Sequence, residues 1–166
     1  MIAIKRVAPD TALVFRDVRL RALQESPIAF SSTYVKESQL PEQEWVRRAT
    51  RWGSDAAAAM FLAFDGDRTC GIAGSLVDEG NAHRAHVISM WVDPAYRRAG
   101  VGKALIDAIV EWNTSIGVRE TVLMVTSVNT GAIAFYERIG FTRTGLTGPY
   151  PNDPAIVEYE MALTVP

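Results

Sequence analysis

Residues 86–103, His-Val-Ile-Ser-Met-Trp-Val-Asp-Pro-Ala-Tyr-Arg-Arg-Ala-Gly-Val-Gly-Lys, constrain this chain more than any other segment. They read as a buried strand, a tight basic glycine turn and a helix start. Such a turn leaves several backbone N–H groups without partners at the positive end of a helix macrodipole, a setting that suits phosphate or pyrophosphate. Arg97, Arg98 and Lys103 add positive charge at the same point. A P-loop would need a glycine five residues before Gly102 and a hydroxyl after Lys103, but those positions hold Arg97 and Ala104. A dinucleotide fingerprint fits Gly100 and Gly102, yet Leu105 stands where its third glycine belongs. What remains is Arg-Arg-x-Gly-x-Gly behind a strand ending at Val92.

A second segment, residues 121–141, reads as strand, turn, short helix and helix stop. Val122, Leu123, Met124 and Val125 form the apolar run of a buried strand. Asn129 or Thr130 can cap the helix, and Gly140 is placed to end it. Asn129, Ala132 and Tyr136 fall at i, i+3 and i+7, so one helical face carries an amide, a small residue and a phenol.

The glycine turn resembles the coenzyme A loop of the GNAT superfamily of N-acetyltransferases, and the Asn129/Tyr136 face is similar to that family's pattern. The resemblance implies an α/β (α+β) fold: a mixed, mostly antiparallel sheet of about seven strands, splayed between the fourth and fifth, with about four helices. The remaining sequence agrees in order. Ile2–Val7 alternates as a strand, Pro9-Asp10 starts a helix running to about Gln24, and Pro41 opens another. Ala59–Phe64, the Asp65-Gly66 turn signal and Cys70–Val77 form a hairpin, and a further strand ends at Val92. Val101, Ala104, Leu105, Ala108, Ile109 and Trp112 make one apolar helical stripe. Phe141–Gly145 reads as a strand and Gly145–Pro154, rich in glycine and proline, as a loop. Val157, Tyr159, Met161 and Leu163 alternate inward along a last strand.

The resemblance also implies roles. Trp91 and Val92 would line the pantetheine arm with backbone groups. Arg97, Arg98, Ala99, Gly100, Val101, Gly102 and Lys103 would surround the pyrophosphate, while Asn129 and Ala132 face the arm from the opposite side. Tyr136 would act as general acid toward the departing thiolate of acetyl-coenzyme A. The acceptor side falls to the loops 25–39 and 145–154, where Phe30, Tyr34, Trp45, Trp52 and Tyr150 could wall an apolar pocket. The base stays unassigned. Ribosomal-protein N-terminal acetyltransferases carry a glutamate at the position of Met124, and Glu25, Asp78, Glu79 or a water wire by His86 are the alternatives.

The 166 residues read as one domain, with 48% apolar and 22% charged residues. A formal charge of −2 gives no argument for a nucleic-acid partner. The single cysteine, Cys70, excludes an internal disulfide framework and reads as inert packing. His83 and His86 lie three apart on a strand and make a poor metal pair, so no metal is expected. Residues 1–7 lack a signal-peptide run and no stretch approaches a membrane span, so a cytoplasmic setting without membrane partner is expected. Three functions compete: acetylation of a primary amine on a small molecule, acetylation of a protein N-terminus or lysine, and coenzyme A binding without turnover. A homodimer is compatible with each.

Overall fold

The computed structural model describes residues 1–165, so Pro166, the end of the single-domain reading, lies outside the described residues. The strands are β1 (Ile2–Arg6), β2 (Ala58–Asp65), β3 (Arg68–Asp78), β4 (Asn81–Val92), β5 (Glu120–Thr126), β6 (Thr142–Tyr150) and β7 (Asp153–Thr164). The helices are α1 (Ala12–Glu25), α2 (Tyr34–Ser38), α3 (Glu42–Ser54), α4 (Val101–Ser115) and α5 (Thr130–Arg138). The strands build one seven-stranded sheet in the order β1-β2-β3-β4-β5-β7-β6. Every neighbouring pair is antiparallel except β4 and β5.

That parallel pair decides the architecture. Its register covers only Arg84 with Glu120, Ala85 with Thr121 and His86 with Val122. Beyond it β4 runs on to Val92 and β5 to Thr126 paired only to their outer neighbours β3 and β7, and the sheet parts between them into a wedge. A bulge in β4 helps to turn the strand away. Its register with β3 advances three residues, Ile88 to Trp91, against two from Gly74 to Ile72, and Ser89 there has φ +56°.

Side-chain alternation separates two cores. Val87, Leu123, Val125 and Met161 face α4 and α5 with Leu105, Ile109, Ile133 and Tyr136. Met60, Leu62, Ile72 and Trp91 face α1 and α3 with Phe15, Val18, Leu23 and Trp45. At the closed end of the wedge, Asn113 of α4 joins the strands. Ser75 Oγ donates to Asn113 Oδ1 at 2.7 Å, and Asn113 Nδ2 donates to Thr121 Oγ1 at 2.9 Å, all three residues being buried. On the other face Arg84 bridges Glu120 at 3.3 Å and Glu160 at 2.7 Å.

Three sequence expectations need correction. The first helix begins at Ala12, because Pro9–Thr11 forms a separate 3₁₀ turn. The segment 25–39 contains α2, with Thr33 as N-cap. The loop read over 145–154 is instead the end of β6, a turn at Pro151-Asn152 and the start of β7. Proline and glycine are tolerated because β6 is an edge strand, where Pro149 gives up no ladder bond to an outer neighbour. Gly145, at φ +90°, sits where the β6–β7 register shifts.

Asn113→Ala leaves two buried hydroxyls, Ser75 and Thr121, without their partner. The expected loss is about 2–6 kcal/mol, since each of the two unsatisfied buried groups costs about 1–3 kcal/mol. It should appear in urea unfolding as a lower midpoint with an unchanged slope.

Candidate active site

The wedge opens into a cleft of about 1900 Å³. One wall is β4 from His86 to Val92, and another is β5 from Leu123 to Thr126. α5 closes one side, while the α1–α2 loop and the β6–β7 turn close the other.

At its basic end the chain leaves β4 through a 3₁₀ turn at Pro94–Tyr96, started by Asp93, whose carboxylate accepts from the Ala95 N–H at 2.9 Å. Arg98 (φ +67°) and Gly100 (φ +84°) then adopt left-handed conformations before α4 begins. The N–H of Ala99 donates to Tyr96 O at 3.3 Å, and that of Ala104 to Gly100 O at 3.0 Å. Among the described residues, no protein acceptor takes the N–H groups of Arg98, Gly100, Val101, Gly102 or Lys103. Five main-chain donors without a protein partner thus converge at a helix N-terminus, an arrangement that suits an anion. A Cβ at Gly102 would stand 3.0 Å from Phe135 Cζ, so that ring would have to give by a few tenths of an ångström.

The three cations of this turn are not alike. Arg97 is tied down, with Nη2 donating to Glu25 at 2.7 Å and Nε to the Val92 carbonyl at 3.1 Å. Lys103 pairs with Asp107 at 2.6 Å on the surface, a contact that a ligand can displace at little cost. Arg98 has no acidic partner among the described residues and stays exposed.

Along the parted edge, Asp93 N–H donates across to Cys70 O of β3 at 2.9 Å. Strand alternation then turns the N–H of Val92 the other way, into the wedge. The Trp91 side chain points to the α1 face, where Nε1 donates to Glu25 at 2.8 Å. Opposite, Asn129 caps α5 by accepting the Ala132 N–H at 3.2 Å, which leaves its amide NH₂ unengaged among the described residues. Tyr136 lines the same cleft with its ring buried against Phe135 and Phe141. Burial pushes its phenol well above the ordinary tyrosine value, so it stays protonated and a donor.

The aromatic residues expected around an acceptor divide. Phe30 and Tyr150 line the cleft, with Trp52 at its wall. Two need correction. Trp45 is fully buried in the α3 core with its ring 5.5 Å from Phe15, because its helix buries that face against α1. Tyr34 stands exposed on α2 and is not part of the cleft wall, because that short helix turns it outward.

The carboxylates named as bases also separate. Burial raises Glu25, but bonds from Ser26, Trp91 and Arg97 outweigh it and hold the carboxyl below its ordinary value. Asp78 is held low by its bond to His86 at 2.9 Å, and Glu79 is exposed on the β3–β4 turn. Cys70 is buried and its thiol raised, as packing requires. Glu158 of β7 was not anticipated. It lines the cleft, and burial raises its carboxyl above the ordinary range. The signal was present in the alternation of 157–163, which turns Glu158 away from the core-facing set.

A buried ionic chain supports the bulge. Arg19 of α1 holds Glu37 of α2 with two bonds of 3.0 and 2.8 Å, and its Nη1 donates to Ser89 Oγ at 2.8 Å. Arg48 of α3 approaches Glu37 at 3.6 Å. Burial raises the Glu37 carboxyl, but hydrogen bonds and charge from Arg19, with Ser32 and Arg48, bring it below its ordinary value.

Comparison with known proteins agrees with this geometry. Residues 21–141 match the model of the acetyltransferase (GNAT) family. Mycothiol acetyltransferase of Geodermatophilus obscurus is 35% identical over 125 residues, 73% of this chain and 40% of that protein. A ribosomal-protein alanine N-acetyltransferase of Escherichia coli is 35% identical over 66 residues, 40% of this chain and 45% of that protein. The chain thus spans less than half the length of these relatives. A GNAT-family acetyltransferase from Streptococcus pneumoniae shares the fold over 100% of both chains, with a TM-score of 0.82 at 21% identity. The PaiA N-acetyltransferase of Thermoplasma acidophilum, solved in complex with coenzyme A, superposes over 99% of both chains with a TM-score of 0.76 at 16% identity. The chain belongs to the GNAT acetyltransferase family.

Because Glu37 is lowered on folding, its stabilisation is present above the unfolded value of about 4.3 and is lost as pH falls through the folded value. Glu37→Gln leaves Arg19 poorly compensated and should cost about 3 kcal/mol at pH 7. The gap between variant and parent urea midpoints should narrow progressively as pH falls below the unfolded value of about 4.3.

Proposed function

We propose that this chain transfers an acetyl group from acetyl-coenzyme A to a primary amine of a small molecule, by direct attack within a ternary complex. The fit to the co-substrate rests on the unpartnered N–H groups of residues 98 and 100–103, which suit a pyrophosphate. Arg98 adds charge, and Arg97 braces the turn through Glu25. The edge of β4 at Val92, beyond its register with β5, can hydrogen-bond an extended arm as an added strand would, whereas the Trp91 backbone, expected to share that role, is turned to its β3 partner Ile72. The Asn129 amide faces that arm from α5, and Ala132 leaves it room.

Acetyl-coenzyme A supplies an activated acyl group. The inward N–H of Val92 is a fixed donor for the carbonyl oxygen as negative charge develops there. Tyr136, kept protonated by burial, gives its proton to the departing sulfur. The sheet places Tyr136 on the α5 face and the acceptor loops on the other, so leaving group and amine have separate sides.

One observation carries the choice of a small acceptor. Tyr150 Oη donates to the Phe30 carbonyl at 2.9 Å, and Asn152 Nδ2 donates to the same oxygen at 2.8 Å. These bonds clasp the β6–β7 turn to the α1–α2 loop at the acceptor end of the cleft. An extended peptide laid between the two loops would have to break the clasp, whereas a small amine would not.

A panel of primary amines with acetyl-coenzyme A, followed by thiol release, tests the reading. At least one small amine should turn over faster than peptides bearing a free N-terminus or lysine. Tyr136→Phe should lower kcat by about 10²-fold with coenzyme A affinity by calorimetry unchanged. An unchanged rate removes the assigned acid, and absence of coenzyme A binding removes the whole reading.

A further inference from the structure

Most ionic groups in and behind the α1-side walls of the cleft are paired. Arg19 is bound to Glu37, Glu25 to Arg97, and His86 to Asp78. On β7, Glu160 takes Arg84 at 2.7 Å and the Thr144 hydroxyl at 3.0 Å. Glu158, two residues away on the same strand, has no hydrogen bond and no ion pair among the described residues. It is half-buried in the cleft wall all the same. An ionisable group left unmatched in a desolvated wall is a cost to the fold, and such groups concentrate where chemistry occurs.

The strand register fixes which way it faces. Thr126 pairs with Glu158 and Met124 with Glu160, whereas Val125 pairs with Tyr159 and Leu123 with Met161. Paired residues share a face, so Leu123, Val125, Tyr159 and Met161 lie on the α5 side with Tyr136. Glu158 lies on the opposite side, toward the α1–α2 loop and its clasp. Its β6 neighbour is Gly148, which brings no charge. Apolar side chains of the same cleft include Ile28, Phe30, Met124 and Val128, and the strand partner of Glu158 is the uncharged Thr126. Arg138 also lines the cleft but stands on α5, on the Tyr136 side.

We infer that Glu158 receives the ammonium group of the acceptor and takes the proton that frees its nitrogen for attack. This rests on the reading of the chain as an acetyltransferase. The balance is complete. R–NH₃⁺ gives one proton to the Glu158 carboxylate, leaving R–NH₂. The nitrogen lone pair forms the N–C bond to the acetyl carbon, and the C–S bond breaks with its electron pair on sulfur. Sulfur takes the proton of Tyr136, and the tyrosinate recovers one from the nitrogen through water, giving the neutral amide. Glu158 then releases its proton to solvent. Base and acid stand on opposite faces of the parted sheet, so neither can neutralise the other. Burial that raises the Glu158 carboxyl brings it closer to the task of accepting a proton near neutrality.

The test needs no turnover, so its failure is distinct from failure of acetyl transfer. In ¹³C-carboxyl spectra of the coenzyme A-saturated protein, the resonance absent from Glu158→Gln should titrate above the ordinary glutamate value of about 4.3. 2-Phenylethylammonium, a primary amine with an apolar body, should lower that midpoint. A midpoint at the ordinary value, or one the amine leaves unmoved, overturns the assignment. Removing an unmatched charge should also raise the Tm of Glu158→Gln at pH 8, whereas a lower Tm marks a structural role and overturns it. With the fastest amine of the panel, Glu158→Gln should lower kcat by about 10²-fold, flatten the acidic limb of the rate profile and leave KM for acetyl-coenzyme A unchanged. A variant that raises only KM for the amine and keeps the acidic limb overturns the proton-accepting role.

Discussion

β4 and β5 hold each other for three residues and then separate, leaving main-chain donors and acceptors unpaired inside a sheet rather than at its margin. An interior edge of this kind is unfavourable unless water or a ligand satisfies it. The rest of the molecule is arranged to keep it open. Asn113 and Arg84 pin the closed end from the two faces, the Ser89 bulge bends β4 away, and Arg19 fixes the bulge from α1. Two strained residues, Ser89 and Arg98, stand at the bulge and at the glycine turn. Backbone strain of about 1–3 kcal/mol per residue persists where the surroundings over-determine it, and both positions border the cleft.

The wedge also separates its polar groups by side. In the proposed reaction the leaving group would lie on the α5 face, where burial keeps the Tyr136 phenol neutral. The acceptor would lie on the α1 face, where Glu25 is paired with Arg97 and Glu158 has no partner among the described residues. The unpartnered amides lie at a third place, the N-terminus of α4, where the proposal puts the pyrophosphate. Separated in this way, donor, acceptor and anion site would not neutralise one another.

The motifs were visible in the chain because they are local. Gly100 and Gly102 following Arg97-Arg98 specify a turn whose amides cannot pair among themselves, and Asn129 to Tyr136 is a single helical face. The apolar alternation of Ile2–Val7 and Val157–Leu163 likewise reports strands directly. The misread segment 145–154 shows the limit. Proline and glycine mark a loop or an edge strand equally, and only the position of β6 at the sheet margin separates the two. Trp45 and Tyr34 fail for a related reason, since an aromatic side chain carries no mark of which cavity, if any, it faces.

Local sequence determined the basic glycine turn with its unpartnered amides, the phenol-bearing face and the alternation of strands and helices, all set by neighbours within a few turns of chain. Tertiary structure decided what depends on residues far apart: the parting of β4 from β5, the clasp of Tyr150 on Phe30, and the pairing of Glu25 with Arg97 while Glu158 in the same cleft has no partner among the described residues. A charge is spare only in relation to the partners that others have taken, and that relation exists only once the sheet is assembled.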